Sequence, residues 1–136
     1  MKHFLILSIL PLCFILLSCN KEKSSKEWII GTWEHTKDEN SLTVGGKTLT
    51  DTYKYSGYFY VFEKDGTGRE FTESFTHYYT YVFNELTSSL YLRYENGSER
   101  NLKIEIVDDD NFIDYTYASG EMGVFATTKR YYRRVR

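Results

Sequence analysis

From residue 28 onward apolar and polar positions alternate with period two in short runs, and no stretch repeats at the 3.6-residue spacing of an amphipathic helix. The clearest run is Leu102-Lys103-Ile104-Glu105-Ile106, which reads as a strand with one face in a core and the other in water. Similar runs rich in Tyr, Phe, Thr, Val and Ile predict eight strands, at residues 28–36, 58–62, 69–75, 79–83, 90–94, 102–107, 112–117 and 124–135. Asp65-Gly66 and Asn96-Gly97 supply the positive φ angles of tight hairpins between them. Gly45-Gly46, Asp108 to Asn111 and Ala118-Ser119-Gly120 mark further turns. Consecutive hairpins without a long crossover predict an up-and-down antiparallel meander, whose closure into a barrel removes the free edges. Residues 37–55 read either as a long first loop or as an additional hairpin turning at Gly45-Gly46.

The start of the chain follows another pattern. Lys2 and His3 precede an apolar block from Phe4 to Leu17, interrupted by Ser8 and Pro11, and this matches a secretory leader over residues 1–18. The block is too short to span a bilayer comfortably. Leu16-Leu17-Ser18-Cys19 resembles the lipobox of bacterial lipoprotein precursors. That resemblance implies cleavage before Cys19, a diacylglyceryl group on its sulfur and an acyl chain such as palmitate on the new amine. Two or three chains make a lasting membrane anchor. Asn20, rather than Asp, after the cysteine agrees with sorting to the outer membrane. Residues 19–26 form the lipidated end and a polar tether, leaving 27–136 as one domain. About 110 residues suffice for a single core.

Composition narrows the partners. Cys13 lies in the leader, so the mature domain has no cysteine besides Cys19 and must stand without disulfides or Cys-based metal sites. Without the leader, 16 basic residues face 19 acidic ones, a formal net charge of −3 that disfavours nucleic acid. Cofactors are not expected.

Three motifs together resemble the lipocalin-like domains of small bacterial lipoproteins, within the calycin group. They are Gly31-Thr32-Trp33 on the first strand, Phe62 to Gly68 at a hairpin, and Tyr131-Tyr132-Arg133 near the end. The resemblance implies an all-β, eight-stranded barrel, closed or half-open, in which Trp33 plugs the closed end and Arg133 covers its indole. Arg130 and Arg134 stand as alternative caps. An indole buries a large apolar area, and a guanidinium stacks on its face while bonding nearby carbonyls.

Aromatic residues make up 18% of the chain, including 13 tyrosines, so the interior is the first place to look for a site. Alternation assigns Tyr60, Phe62, Phe71, Tyr79, Tyr81 and Phe83 to the inner face, where they would line a cup for a small apolar or amphipathic ligand. The contrasting expectation is a barrel filled by its own side chains. It would act as an interaction module, contacting another envelope protein or a glycan through exposed tyrosines such as Tyr58, Tyr78 or Tyr91. Other chemistry has thinner support. His35 and His77 have no metal or dyad spacing, and Asp108-Asp109-Asp110 lacks the alternation of a calcium loop. The basic end from Lys129 to Arg136 reads as a charged outer face plus the cap, ahead of a headgroup-binding patch. Glu63, Glu70, Glu73 and Glu85 carry no spacing that marks an acid–base pair, and no nucleophile elbow or phosphate loop is present, so the expectation is a non-catalytic protein of undetermined oligomeric state.

Overall fold

A computed structural model describes residues 25–136; the leader, Cys19 and the tether up to residue 24 lie outside the described residues. A single helical turn, α1 (Ser25–Trp28), leads into nine strands. These are β1 (Gly31–Val44), β2 (Lys47–Lys54), β3 (Phe59–Phe62), β4 (Thr67–Phe71), β5 (Thr76–Asn84), β6 (Ser89–Tyr94), β7 (Glu99–Asp108), β8 (Asn111–Ser119) and β9 (Phe125–Val135). A 3-10 turn at Glu121–Gly123 joins the last two.

Every pairing is antiparallel, and β1 closes the ring by pairing with both β3 and β9. Eight strands, β1 and β3 to β9, thus make a closed up-and-down barrel. Strand order follows chain order because each connection is a hairpin. Asp65 and Asn96 hold two of these turns by accepting backbone N–H bonds from Thr67 and Ser98 at 2.9 Å.

Three boundaries depart from the pattern along the chain. Trp28 belongs to α1 rather than to the first strand, which starts at Gly31. Residues 72–75 leave β4 in a turn, with Thr72 N–H bonded to Phe75 O and Thr72 Oγ1 accepting from Ser74 N–H. Residues 37–55 form the hairpin alternative, since β1 runs on to Val44, turns at Gly45-Gly46 and returns as β2. Both glycines have positive φ, 57° and 76°, as a two-residue hairpin loop of this hand requires. A bulge between His35 and Lys37 adjusts β1 where it passes from the barrel wall into this extension.

The core lies inside the ring. Trp33, Phe62, Leu90 and Leu92 are all but fully buried, joined by Phe83, Leu102, Ile104 and Phe112. Leu102 and Ile104 come from the cleanest alternating run, with Lys103 and Glu105 exposed; Ile106, the third apolar residue of that run, is exposed as well.

Candidate functional site

The closed end is built on Trp33. Its indole N–H donates to Ile29 O at 2.8 Å, and its ring packs against Phe112 and Trp28 with centroids 4.8 Å and 5.0 Å away. Trp28 and Ile29, from α1 and the residue after it, complete the plug. The guanidinium over the indole is that of Arg134, 4.2 Å from the ring centroid, which corrects the assignment to Arg133. Alternation explains the change. Tyr132 is buried inside the barrel, so Arg133 must face out, where it pairs with Glu34 at 2.7 Å, whereas Arg134 stands directly across from Trp33. Arg134 also donates to Trp28 O (2.6 Å), Ile30 O (2.8 Å) and Asp109 O (3.1 Å), fastening the plug to the last strand and the β7–β8 turn. Gly31 leaves room for this cap: its φ is 131°, and a Cβ there would lie 2.9 Å from Arg134 Nη1.

Of the aromatic residues assigned to a cup, Tyr60, Phe62, Tyr79 and Phe83 are buried in the core. Tyr81 sits half-buried against Phe62, its hydroxyl donating to Glu63 O at 2.7 Å. Phe71 is a correction. Glu70 takes the inward position on β4, so Phe71 turns outward and stacks on Phe59 with a centroid distance of 5.2 Å.

The inward rings do not surround a cup. The interior void bordered by Tyr60, Phe62, Leu102, Phe112, Asp114 and Tyr132 measures about 10 Å³. That is no more than the space for one water molecule.

A charged layer fills the half of the barrel beyond this void. Arg100 donates to the hydroxyls of Tyr60 (3.2 Å) and Tyr94 (3.3 Å), and Tyr94 donates to Glu70 Oε2 (3.0 Å), which lies 3.8 Å from Arg100. Asp114, fully buried, accepts from Arg130 Nε at 2.8 Å and from the Tyr132 hydroxyl at 2.7 Å. Two partly exposed guanidiniums thus face two buried carboxylates, and removing either arginine would strand a buried carboxylate. Burial pushes the hydroxyl of Tyr94 up to about 12, those of Tyr60 and Tyr79 higher still, and that of Tyr132 well above the ordinary tyrosine value. These rings are therefore neutral donors at any physiological pH. Sequence reasoning passed over Arg100 and Asp114. The signal was parity: Leu102 and Ile104 fix the inward positions of β7, which include Arg100, and Phe112 does the same for Asp114.

Rings also occupy the barrel's far mouth. His35 stacks between Tyr55 and Tyr132 (4.6 Å and 5.2 Å) with Nε2 2.7 Å from Asp38 Oδ1, while Tyr58 packs on His35, Tyr60 and Phe75. His77 is exposed beside Phe75. Of the three tyrosines expected outside, Tyr78 is exposed and Tyr58 and Tyr91 are half-buried. Glu70 lies within the barrel while Glu63, Glu73 and Glu85 are exposed, so the four do not form one cluster. Asp108 caps its own turn by accepting from Asp110 N–H and Asn111 Nδ2, and Asp110 pairs with Arg134 and Arg136. Among the described residues no three metal-ligating side chains gather.

Besides grooves of about 480 Å³ beside Lys37, Ile113 and Tyr131 and about 470 Å³ beside Ser89, Lys103 and Tyr115, two features mark the outside. A groove of about 540 Å³ lies against β4, β5 and β6, with Thr67, Arg69, Tyr78, Thr80, Arg93 and Glu95 along it. The other is a flap, where β2, the outer half of β1 and the adjoining halves of β8 and β9 run on beyond the barrel as one sheet. Every residue of β2 is exposed. On the face that continues the barrel interior, Leu49, Leu42, Ala126 and Ala118 stand opposite one another in a single cross-strand row. Leu49 and Leu42 are 74% and 44% exposed, which leaves this row without a core. On the other face Thr43–Thr48 and Ser41–Thr50 hydroxyl pairs, at 2.8 Å and 2.9 Å, tie β1 to β2.

Neither a protein-family model nor a curated protein sequence matches this chain. Among solved structures it is similar to apocrustacyanin C2, with a TM-score of 0.47 at 13% identity, and to lobster apocrustacyanin A1, with 0.44 at 14% identity. Each match covers 84% of this chain and 64% of the other, so the chain spans less than two thirds of the length of those proteins. No ligand or role is carried over from them.

Proposed function

We propose that this is a non-catalytic lipoprotein, anchored through Cys19 to a bacterial membrane and sorted to the outer one, whose filled barrel is a rigid support and whose flap docks a protein strand. One contrast supports the reading. The void between Tyr60, Phe62, Phe112 and Tyr132 measures about 10 Å³, against the roughly 300–1,000 Å³ of a ligand pocket, while among the described residues the flap leaves an apolar row and a strand edge uncovered. A carrier needs the first kind of space and a docking module the second. In the full chain in its envelope, a photo-crosslinking residue replacing Leu49 or Tyr117 on the flap is expected to give protein adducts. The same residue at Leu86, 98% exposed in the β5–β6 turn, serves as the control without adducts. Absence of adducts from both flap positions would overturn the docking role. The anchor is tested separately: Cys19→Ser is expected to abolish lipid labelling and release the protein from membranes, and continued labelling would contradict it.

The groove on β4 to β6 favours a second reading, in which a small amphipathic molecule binds outside the barrel. Its about 540 Å³ falls in the range of ligand sites, with the Tyr78 ring and the Arg69 and Arg93 cations beside it.

A further inference from the structure

We propose that the partner at the flap is a second copy of this chain, added antiparallel along β2 with Leu49 on the two-fold axis. This rests on the flap being the docking element. Closing the barrel leaves β2 with a free side along its whole length, because among the described residues it pairs only with β1; at the other edge of the flap only residues 116–119 of β8 lack a partner on the β7 side. Natural sheets guard such edges with bulges, proline or inward charge; β2 has neither proline nor bulge, and its inward charges, Lys47 and Asp51, are of opposite sign, so they repel an arbitrary strand but match an antiparallel copy of themselves.

The hairpin fixes which backbone groups are free. A two-residue loop closes on the hydrogen-bonded pair Val44–Lys47, and alternation then commits Lys47, Leu49 and Asp51 to β1. Thr48, Thr50 and Thr52 accordingly turn their N–H and C=O groups to the open side.

Charge selects the register. A two-fold axis normal to the sheet places one residue opposite itself, so an axis at Lys47 or Asp51 opposes like charges, and an axis at Thr50 puts Leu49 against Asp51. With Leu49 on the axis, Lys47 faces Asp51 of the second copy at both ends. Each Thr48–Thr50 pair exchanges both of its backbone hydrogen bonds, and Leu49 meets Leu49 at the close spacing of a non-hydrogen-bonded pair. The row Ala118, Ala126, Leu42, Leu49 then continues unbroken into its own copy. Overlap is confined to the outer part of β2, away from the barrel bodies.

Register makes a sharp test in the full chain held in its own membranes and treated with a mild oxidant. Leu49→Cys brings two sulfurs together across the axis, at a Cα separation near 4.5 Å that a disulfide spans. Leu42→Cys sits on the same row, but with three strand spacings, about 14 Å, between its copies. The expected result is a disulfide-linked dimer for Leu49→Cys at least tenfold above Leu42→Cys and Val82→Cys. Adding Lys47→Asp or Asp51→Lys alone should lose the dimer, since each opposes like charges, and adding both should restore it. Co-expressing the two single charge variants should also restore it, as a mixed pair. Equal crosslinking at positions 49 and 42, or a dimer indifferent to the charge swaps, would overturn the proposal. So would a photo-crosslink at Leu49 to a protein of another mass without a disulfide dimer, which leaves the docking role standing. Failure of both crosslinks removes the two together.

Discussion

Stability is expected to stay level up to about pH 9 and to collapse above pH 10, the ordinary range of tyrosine ionisation. Tyr60, Tyr79 and Tyr132 are buried in the barrel, and burial raises their hydroxyl pKa values well above 10. The sign follows from proton binding. Below pH 10 folded and unfolded chains both hold these protons and the linkage term is zero. Above it the unfolded chain releases them and the folded chain does not, so the raised pKa values favour unfolding. Each such group costs about 1.4 kcal/mol per pH unit, and three cost about 4 kcal/mol per pH unit. Against a typical 5–15 kcal/mol of total stability, unfolding should be complete within about one to four units above pH 10. Tyrosinate absorbance with circular dichroism checks this: exposed tyrosines should titrate first and the buried ones only as strand signal is lost. If all 13 tyrosines ionised in one step near pH 10 with the fold intact, the filled-barrel description would be wrong.

Trp33→Ala should cost about 3–5 kcal/mol in denaturant unfolding, the range for truncating a fully buried aromatic side chain. The indole is wholly inaccessible, donates to Ile29 O and carries ring contacts with Trp28 and Phe112. An unchanged midpoint would remove its role as plug. The two neighbouring arginines separate cleanly. Arg134→Ala loses three bonds to backbone carbonyls and the stack on Trp33, an expected loss of about 2 kcal/mol or more. Arg133→Ala loses one exposed pair with Glu34, a change of less than about 1 kcal/mol. Equal effects of the two would contradict the geometry of the cap.

The proposed docking role rests on a filled barrel, and the charged layer is part of that filling. Glu70, Arg100, Asp114 and Arg130, with the tyrosine hydroxyls, occupy the half of the barrel where a carrier would keep its mouth open. Buried ion pairs are an indifferent source of stability, yet they hold one arrangement because each alternative strands a charge. A support of this kind suits a flap whose own face has no core beneath it.

The chain's own pattern determined the all-β class, the hairpin order, the turns at Asp65-Gly66 and Asn96-Gly97 and the place of Trp33 at the start of the barrel. Each depends on local properties: period-two alternation, residues that accept positive φ, and one large ring beside a glycine. Tertiary structure decided the rest. Arg134 rather than Arg133 covers the indole because cross-strand register puts it opposite Trp33. Phe71 lies outside because Glu70 meets Tyr94 and Arg100 inside, a match between strands far apart in the chain. Whether inward tyrosines line a cup or fill it depends on how side chains from facing strands interlock, since alternation gives the side of a strand and not the volume left between two. The free edge of β2 has the same origin. Its residues read as an ordinary strand, and only closure of the other eight shows that none of the described residues pairs with its outer side.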